Sequence, residues 1–157
     1  KIYKGLANCN WPGRLEIIKR NPNIILDGAH NVDGMKRLLE FLNDNINKEN
    51  KIFFLISILK DKDYKEMVRL IDTLDHNKEL IVTQNQNERS LNPNIIKDYA
   101  DSINLKNNIY DNIYEAVKDT FWKLKKDDNL CITGSLYTVS EARLFTYLLT
   151  EGGLKDG

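Results

Sequence analysis

Apolar positions along the chain alternate between strand-like stretches, with a period of two or a continuous run, and helix-like stretches with spacings of three and four. Arg14 to Lys19 alternates apolar and polar residues, Asn21-Pro22-Asn23 makes a turn, and Ile24 to Asp27 reads as a second short strand. Together they predict a hairpin by ordinary turn chemistry. Val32, Met35, Leu39, Leu42 and Ile46 then recur at spacings of three and four, which predicts a helix over 32–47 with one apolar face. Ile52 to Leu59 is a continuous apolar run, the mark of a strand buried on both faces.

The alternation continues to the end of the chain. The pattern predicts a helix over 62–74 (Met67, Leu70, Ile71, Leu74) and a strand over 79–83. Pro93 is placed to start a helix, and a short strand surrounds Ile109-Tyr110. Asn112 with Glu115 three residues on predicts a capped helix carrying Ile113, Ala116, Val117, Phe121 and Leu124. Leu130-Cys131-Ile132 reads as a buried strand, and the last helix carries Val139, Ala142, Phe145 and Leu149. Strands alternating with helices imply a parallel sheet covered on both faces. The expected fold is therefore α/β: a Rossmann-like, mostly parallel sheet with helices on both faces and one antiparallel edge strand from the N-terminal hairpin. Residues 1–150 form one domain in this reading, and 151–157 a flexible tail.

Composition narrows the function classes. A length of 157 residues is one domain's worth and can bury a proper core. The 23 basic and 23 acidic side chains balance, so nothing points to bulk attraction to nucleic acid or an anionic membrane. The run Lys123-Leu124-Lys125-Lys126 is followed at once by Asp127-Asp128 and reads as a solvated helix end. No apolar stretch approaches the ~18 residues of a membrane span, and the first residues carry no signal peptide. Cys9 and Cys131 lie far apart with no paired spacing, which suits reduced thiols in a cytoplasmic protein. The chain opens at Lys1 without a methionine and reads as a piece of something longer.

Three expected strand-to-helix turns gather polar groups at one sheet edge, where ligands bind in open α/β sheets. The first is Asp27-Gly28-Ala29-His30-Asn31. Asp27 suits a carboxylate that accepts hydrogen bonds from a ribose diol, with His30 facing a second ligand. Equally, Asp27 or Asn31 caps the following helix and His30 is a satisfied loop residue. The second turn, Lys60-Asp61-Lys62-Asp63, is either an ordinary charged loop or a point charge for a carboxylate or phosphate. The third is Thr133-Gly134-Ser135-Leu136-Tyr137. There Gly134 permits a close backbone approach or a positive φ, and the Ser135 hydroxyl suits a small anion near a helix start. Thr138 with Glu141 also forms a capping box, which explains part of this segment without a ligand. Arg14, after Trp11-Pro12-Gly13, suits a phosphate or a surface position beside a packed Trp11; Trp11 and Trp122 read as core or lid packing. Glu16, Arg89 and His76 read as surface residues. The eight glycines include no Gly-x-Gly and no Gly-x-x-x-x-Gly-Lys, so neither a dinucleotide fingerprint nor a P-loop is present. There is no metal-ligand cluster and no nucleophile elbow.

In order, Trp11-Pro12-Gly13-Arg14-Leu15-Glu16, Ile25-Leu26-Asp27-Gly28-Ala29-His30-Asn31, Asp61-Lys62-Asp63 and Thr133-Gly134-Ser135-Leu136-Tyr137 resemble folylpolyglutamate and dihydrofolate synthases of the Mur ligase superfamily. The resemblance covers residues 5 to about 148 and only that family's C-terminal domain. It implies an ATP-dependent ligase that phosphorylates a carboxylate of folate or dihydropteroate, after which the amine of L-glutamate attacks the acyl phosphate. It further implies that the P-loop and the Mg2+ ligands belong to an N-terminal ATPase domain that this chain lacks, so the chain alone is expected to be inactive. By resemblance, Asp27 is the ribose carboxylate, Arg14 reaches the ATP, His30 is catalytic, and Lys62 and Ser135 face glutamate and the acyl phosphate. Ser57 stands where the family has glycine, which crowds the turn near Lys62, and Val32 where proline is frequent. Two other readings remain: a stand-alone Rossmann-like nucleotide or amino-acid binding module, and another Mur-type ligase domain acting on peptidoglycan precursors.

Overall fold

A computed structural model of the chain describes residues 14–151. Strand β1 (Glu16–Lys19) and β2 (Asn23–Leu26) form the antiparallel hairpin. Then come α1 (Val32–Asn45), β3 (Ile52–Ile56), α2 (Tyr64–Thr73), β4 (Lys78–Val82), α3 (Pro93–Ser102), β5 (Asn107–Ile109), α4 (Ile113–Lys123), β6 (Asn129–Thr133) and α5 (Leu136–Thr150). The strands form one sheet in the order β1-β2-β6-β3-β4-β5, parallel except for β1. The expected α/β architecture is what the chain adopts. The expected tail, residues 151–157, lies outside the described residues apart from Glu151, which ends α5.

The period-two pleat sorts each central strand onto two cores. Ile25, Phe54, Ile56, Leu80, Val82 and Cys131 pack with Met35, Leu38 and Leu42 of α1, Met67, Val68 and Ile71 of α2, and Ile96 and Ala100 of α3. Their neighbours Ile24, Leu26, Phe53, Leu55, Ile81, Leu130 and Ile132 pack with Ile113, Ala116 and Val117 of α4 and Val139, Ala142 and Leu149 of α5. Three helices thus cover one face and two the other. The chain steps from β2 through β3 and β4 to β5 in one direction across the sheet and then returns to β6, so right-handed crossovers place α1, α2 and α3 on one face and α4 on the other. That reversal opens a crevice at the carboxyl edge of β2, β6 and β3, the place where such sheets bind ligands.

Several local expectations are corrected. The apolar run 52–59 stays buried throughout, yet β3 stops at Ile56. Beyond it, the carbonyl of Ile58 accepts from Leu91 N–H and Lys60 N–H donates to the Arg89 carbonyl, so the chain has left the β3 ladders for the loop after β4. The cap of α5 is Ser135 in place of Thr138, its hydroxyl accepting from Thr138 N–H at 3.0 Å, while Glu141 turns away to accept from Gln86 N–H. Trp122 is 51% exposed and meets Phe121 edge to face. His76 is buried, with Nε2 at 3.0 Å from the Ile46 carbonyl, and Glu16 pairs with Arg143 at 2.6 Å. Asn112 caps α4 as expected, accepting from Glu115 N–H. No helix among the described residues is long and apolar enough to cross a membrane.

Candidate functional site

The site begins where β2 ends. Asp27 N–H still donates to Ile132 of β6, which holds the residue at the sheet edge. Its side chain then turns back on the chain. Oδ1 accepts from Ala29 N–H at 2.9 Å, and Oδ2 accepts from Leu15 N–H at 2.9 Å. Leu15 presents that N–H from a left-handed backbone, φ 47, a conformation that costs a leucine of order 1–3 kcal/mol and is sustained by the bond it makes. Asp27 is therefore a hub joining the start of β1 to the turn before α1. It is only 9% exposed. Burial raises its carboxyl above the usual range, and the Leu15 and Ala29 amides, with Arg14 and His30 nearby, pull against that without cancelling it.

His30 is fixed by the same turn. Its Nδ1 lies 2.9 Å from the Gly28 carbonyl, a contact that makes Nδ1–H the donor and leaves Nε2 as the ring nitrogen the turn does not engage. Asn31 caps α1, accepting from Gly34 N–H at 2.7 Å. Of the two capping residues considered from sequence, Asn31 does the capping and Asp27 does not. A cavity of about 440 Å3 opens in front of this turn, lined by Arg14, Asp27, His30, Asp33 and Arg37 among others. Arg37 and Asp33 were missed by the sequence reading. Their signal was the spacing of four between Asp33 and Arg37, which sets both on one side of the first turns of α1, just after His30.

The chain just beyond β2, β6 and β3 meets at Ala29, Gly134 and Ser57, though not all of the candidate side chains come together there. Gly134 N–H donates to the Ala29 carbonyl at 3.0 Å, joining the β6 turn to the β2 turn. Gly134 has φ 104, and a Cβ there would lie 2.6 Å from the Ser57 carbonyl oxygen, so glycine is what lets the β6 and β3 turns touch. Ser135 is 2% exposed and bonded to Asn85, Thr138 and, through Thr138, Ser57. The Ser57 hydroxyl is buried, accepting from Asn85 N–H at 2.9 Å. Lys62 stands apart from the cavity: its ammonium is 3.7 Å from Asp61 and touches neither Asp27 nor Ser135. Trp11, Pro12 and Gly13 of the first motif lie outside the described residues.

The family model described as "Mur ligase, glutamate ligase domain" matches residues 13–136. The chain belongs to that family. This Mur ligase domain is 33% identical over 144 residues to the dihydrofolate synthase/folylpolyglutamate synthase of Bacillus subtilis, covering 90% of this chain and 32% of that protein. It is 32% identical over 142 residues to the folylpolyglutamate synthase of Lacticaseibacillus casei, covering 90% and 31%. Among solved structures, E. coli FolC in complex with DHPP and ADP matches at TM-score 0.78 and 20% identity, over 94% of this chain and 34% of that one, a likeness of fold. Mycobacterium tuberculosis folylpolyglutamate synthase complexed with ADP and AMPPCP matches at TM-score 0.74 and 26% identity, over 88% and 33%. The Mur ligase domain thus spans about a third of the length of the relatives it matches.

Proposed function

We propose that this chain is the C-terminal domain of an ATP-dependent ligase that adds L-glutamate to folate or dihydropteroate. The observation that carries the reading is the Asp27 hub. A carboxylate fixed by two backbone amides beside a cavity with two guanidinium groups suits a nucleotide, within a family whose matched relatives are named for folate–glutamate synthesis. Each Asp27 oxygen accepts one backbone N–H and keeps a further lone pair for a ribose hydroxyl. Arg14 supplies a permanently charged fork for the phosphates. His30, with Nε2 not engaged by the turn, suits the proton of the incoming glutamate amine as it attacks the acyl carbon and phosphate departs. Lys62 and Ser135 face the glutamate carboxylates in this reading, and Lys62 must turn from Asp61 to do so. No group of three or more metal-ligating side chains occurs among the described residues. ATP fits this turn; Mg2+ is assigned to the ATPase domain, with no step through these residues.

Catalysis here rests on positioning and charge stabilisation. The phosphate cradle is supplied by the N-terminal ATPase domain, over which this domain closes. The chain alone, given MgATP, glutamate and dihydropteroate or folate, should release no glutamate-dependent phosphate. Turnover by the chain alone would refute the division of labour, and would favour a self-contained enzyme of another kind.

A further inference from the structure

Among the groups that tie the β6 turn to the rest of the sheet edge is a side chain from the loop after β4 that no motif contains. Asn85, in the loop after β4, is 4% exposed. Its backbone N–H donates to Ser57 Oγ at 2.9 Å, and its Oδ1 accepts from Asn87 N–H at 3.0 Å. With Oδ1 so engaged, Nδ2 is the atom directed at the β6 turn. It donates to Ser135 Oγ at 3.3 Å and to Thr138 Oγ1 at 3.2 Å.

That donor pair and the Ser57 carbonyl together fix the proton order of Ser135 and Thr138. Thr138 Oγ1 donates its hydrogen to the Ser57 carbonyl at 2.9 Å, and so can only accept from Asn85 and Ser135. Ser135 Oγ accepts from Thr138 N–H at 3.0 Å and from Asn85, which uses both its lone pairs. The Ser135 hydrogen is the one remaining donor. It points at Thr138 Oγ1, 2.8 Å away, and that is the single bond of Ser135 a ligand acceptor can replace. An anionic ligand at the start of α5 would meet a hydroxyl already forced to act as donor, beside the positive end of the helix.

We infer that Asn85 is a positioning residue for the amino-acid substrate: its amide holds the Ser135 hydroxyl as a donor toward a carboxylate. This rests on the reading that the β6 turn receives glutamate. The test uses the complete ligase, with glutamate and ATP titrated separately for wild type, Ser135→Ala, Asn85→Asp and Asn85→Ala. Asn85→Asp is nearly isosteric but replaces the donor by an acceptor that draws the Ser135 hydrogen inward and repels an anion. It should raise the KM for glutamate by roughly tenfold or more, and Asn85→Ala by about threefold or more, while kcat and the KM for ATP stay within about twofold. If Asn85→Asp does not fold, Asn85→Ala carries the same test. An unchanged glutamate KM in Ser135→Ala would sink the assignment of the β6 turn. An effect of Ser135→Ala with none from either Asn85 variant would overturn this inference alone. Parallel shifts of kcat and both KM values would also overturn it, by making Asn85 a structural tie only.

Discussion

Replacing Gly134 by alanine tests how the crevice is built, and its cost follows from two features of the turn. The first is backbone conformation: φ 104 lies in a region L-residues rarely adopt, worth of order 1–3 kcal/mol of strain. The second is space. The added Cβ would sit 2.6 Å from the Ser57 carbonyl oxygen and 3.2 Å from its carbon and nitrogen, all backbone atoms that cannot rotate away. Moving that carbonyl weakens its bond from the Thr138 hydroxyl, worth about 1 kcal/mol. The sum is roughly 2–4 kcal/mol, which for a domain of this size lowers the melting temperature by about 5–15 °C. Thermal and denaturant unfolding followed by circular dichroism would measure it. Gly34→Ala is the control: the new Cβ meets only the Asn31 side chain closely, at 3.1 Å, and alanine favours the helix. That variant should stay within about 1 kcal/mol of wild type. If Gly134→Ala melts with wild type, the contact between the β6 and β3 turns does not hold the crevice together.

Two further outcomes concern the charges. Burial alone would raise the Glu79 carboxyl, but Lys51 at 2.8 Å and Lys106 at 3.3 Å outweigh it and hold it below the usual range. Its stabilising effect is present above the unfolded-state value and is lost as pH falls through the native one. Lys51→Met should therefore destabilise the fold by about 1–3 kcal/mol at neutral pH, a deficit that shrinks in acid; a deficit independent of pH would refute the assignment. Asp27 has the opposite sign. Its native carboxyl is raised, so its contribution is greatest below the ordinary carboxylate value and is lost as pH rises through the native value. Unfolding midpoints of wild type and Asp27→Asn, compared along a pH series, should shift in favour of wild type as pH falls through that window. A flat difference would contradict the shift.

The fold was largely legible because hydrophobic periodicity reports burial directly, and burial sorted these strands onto two faces. The Asp27 turn was legible for the same reason: an apolar run ending in a carboxylate marks a sheet edge. What escaped notice depended on partners distant in sequence. Burial of His76 rests on the Ile46 carbonyl thirty residues away. The end of β3 is set by hydrogen bonds to residues 89 and 91, while the apolar run gives no sign of it. At α5, Ser135 and Thr138 are both capping residues by type, and only the backbone path decides between them. Asn85 was hidden by composition, since nineteen asparagines make any single one uninformative. Trp122 misled because large aromatics are usually covered, whereas this one lies half-open on α4.

The central claim is that the turn after β2 holds the nucleotide. ATP titration of the complete ligase at saturating glutamate and acceptor, wild type against Asp27→Ala, addresses it most directly. The account predicts an ATP KM raised by roughly tenfold or more, with the glutamate KM within about twofold. Unchanged ATP kinetics in a folded Asp27→Ala enzyme would contradict it.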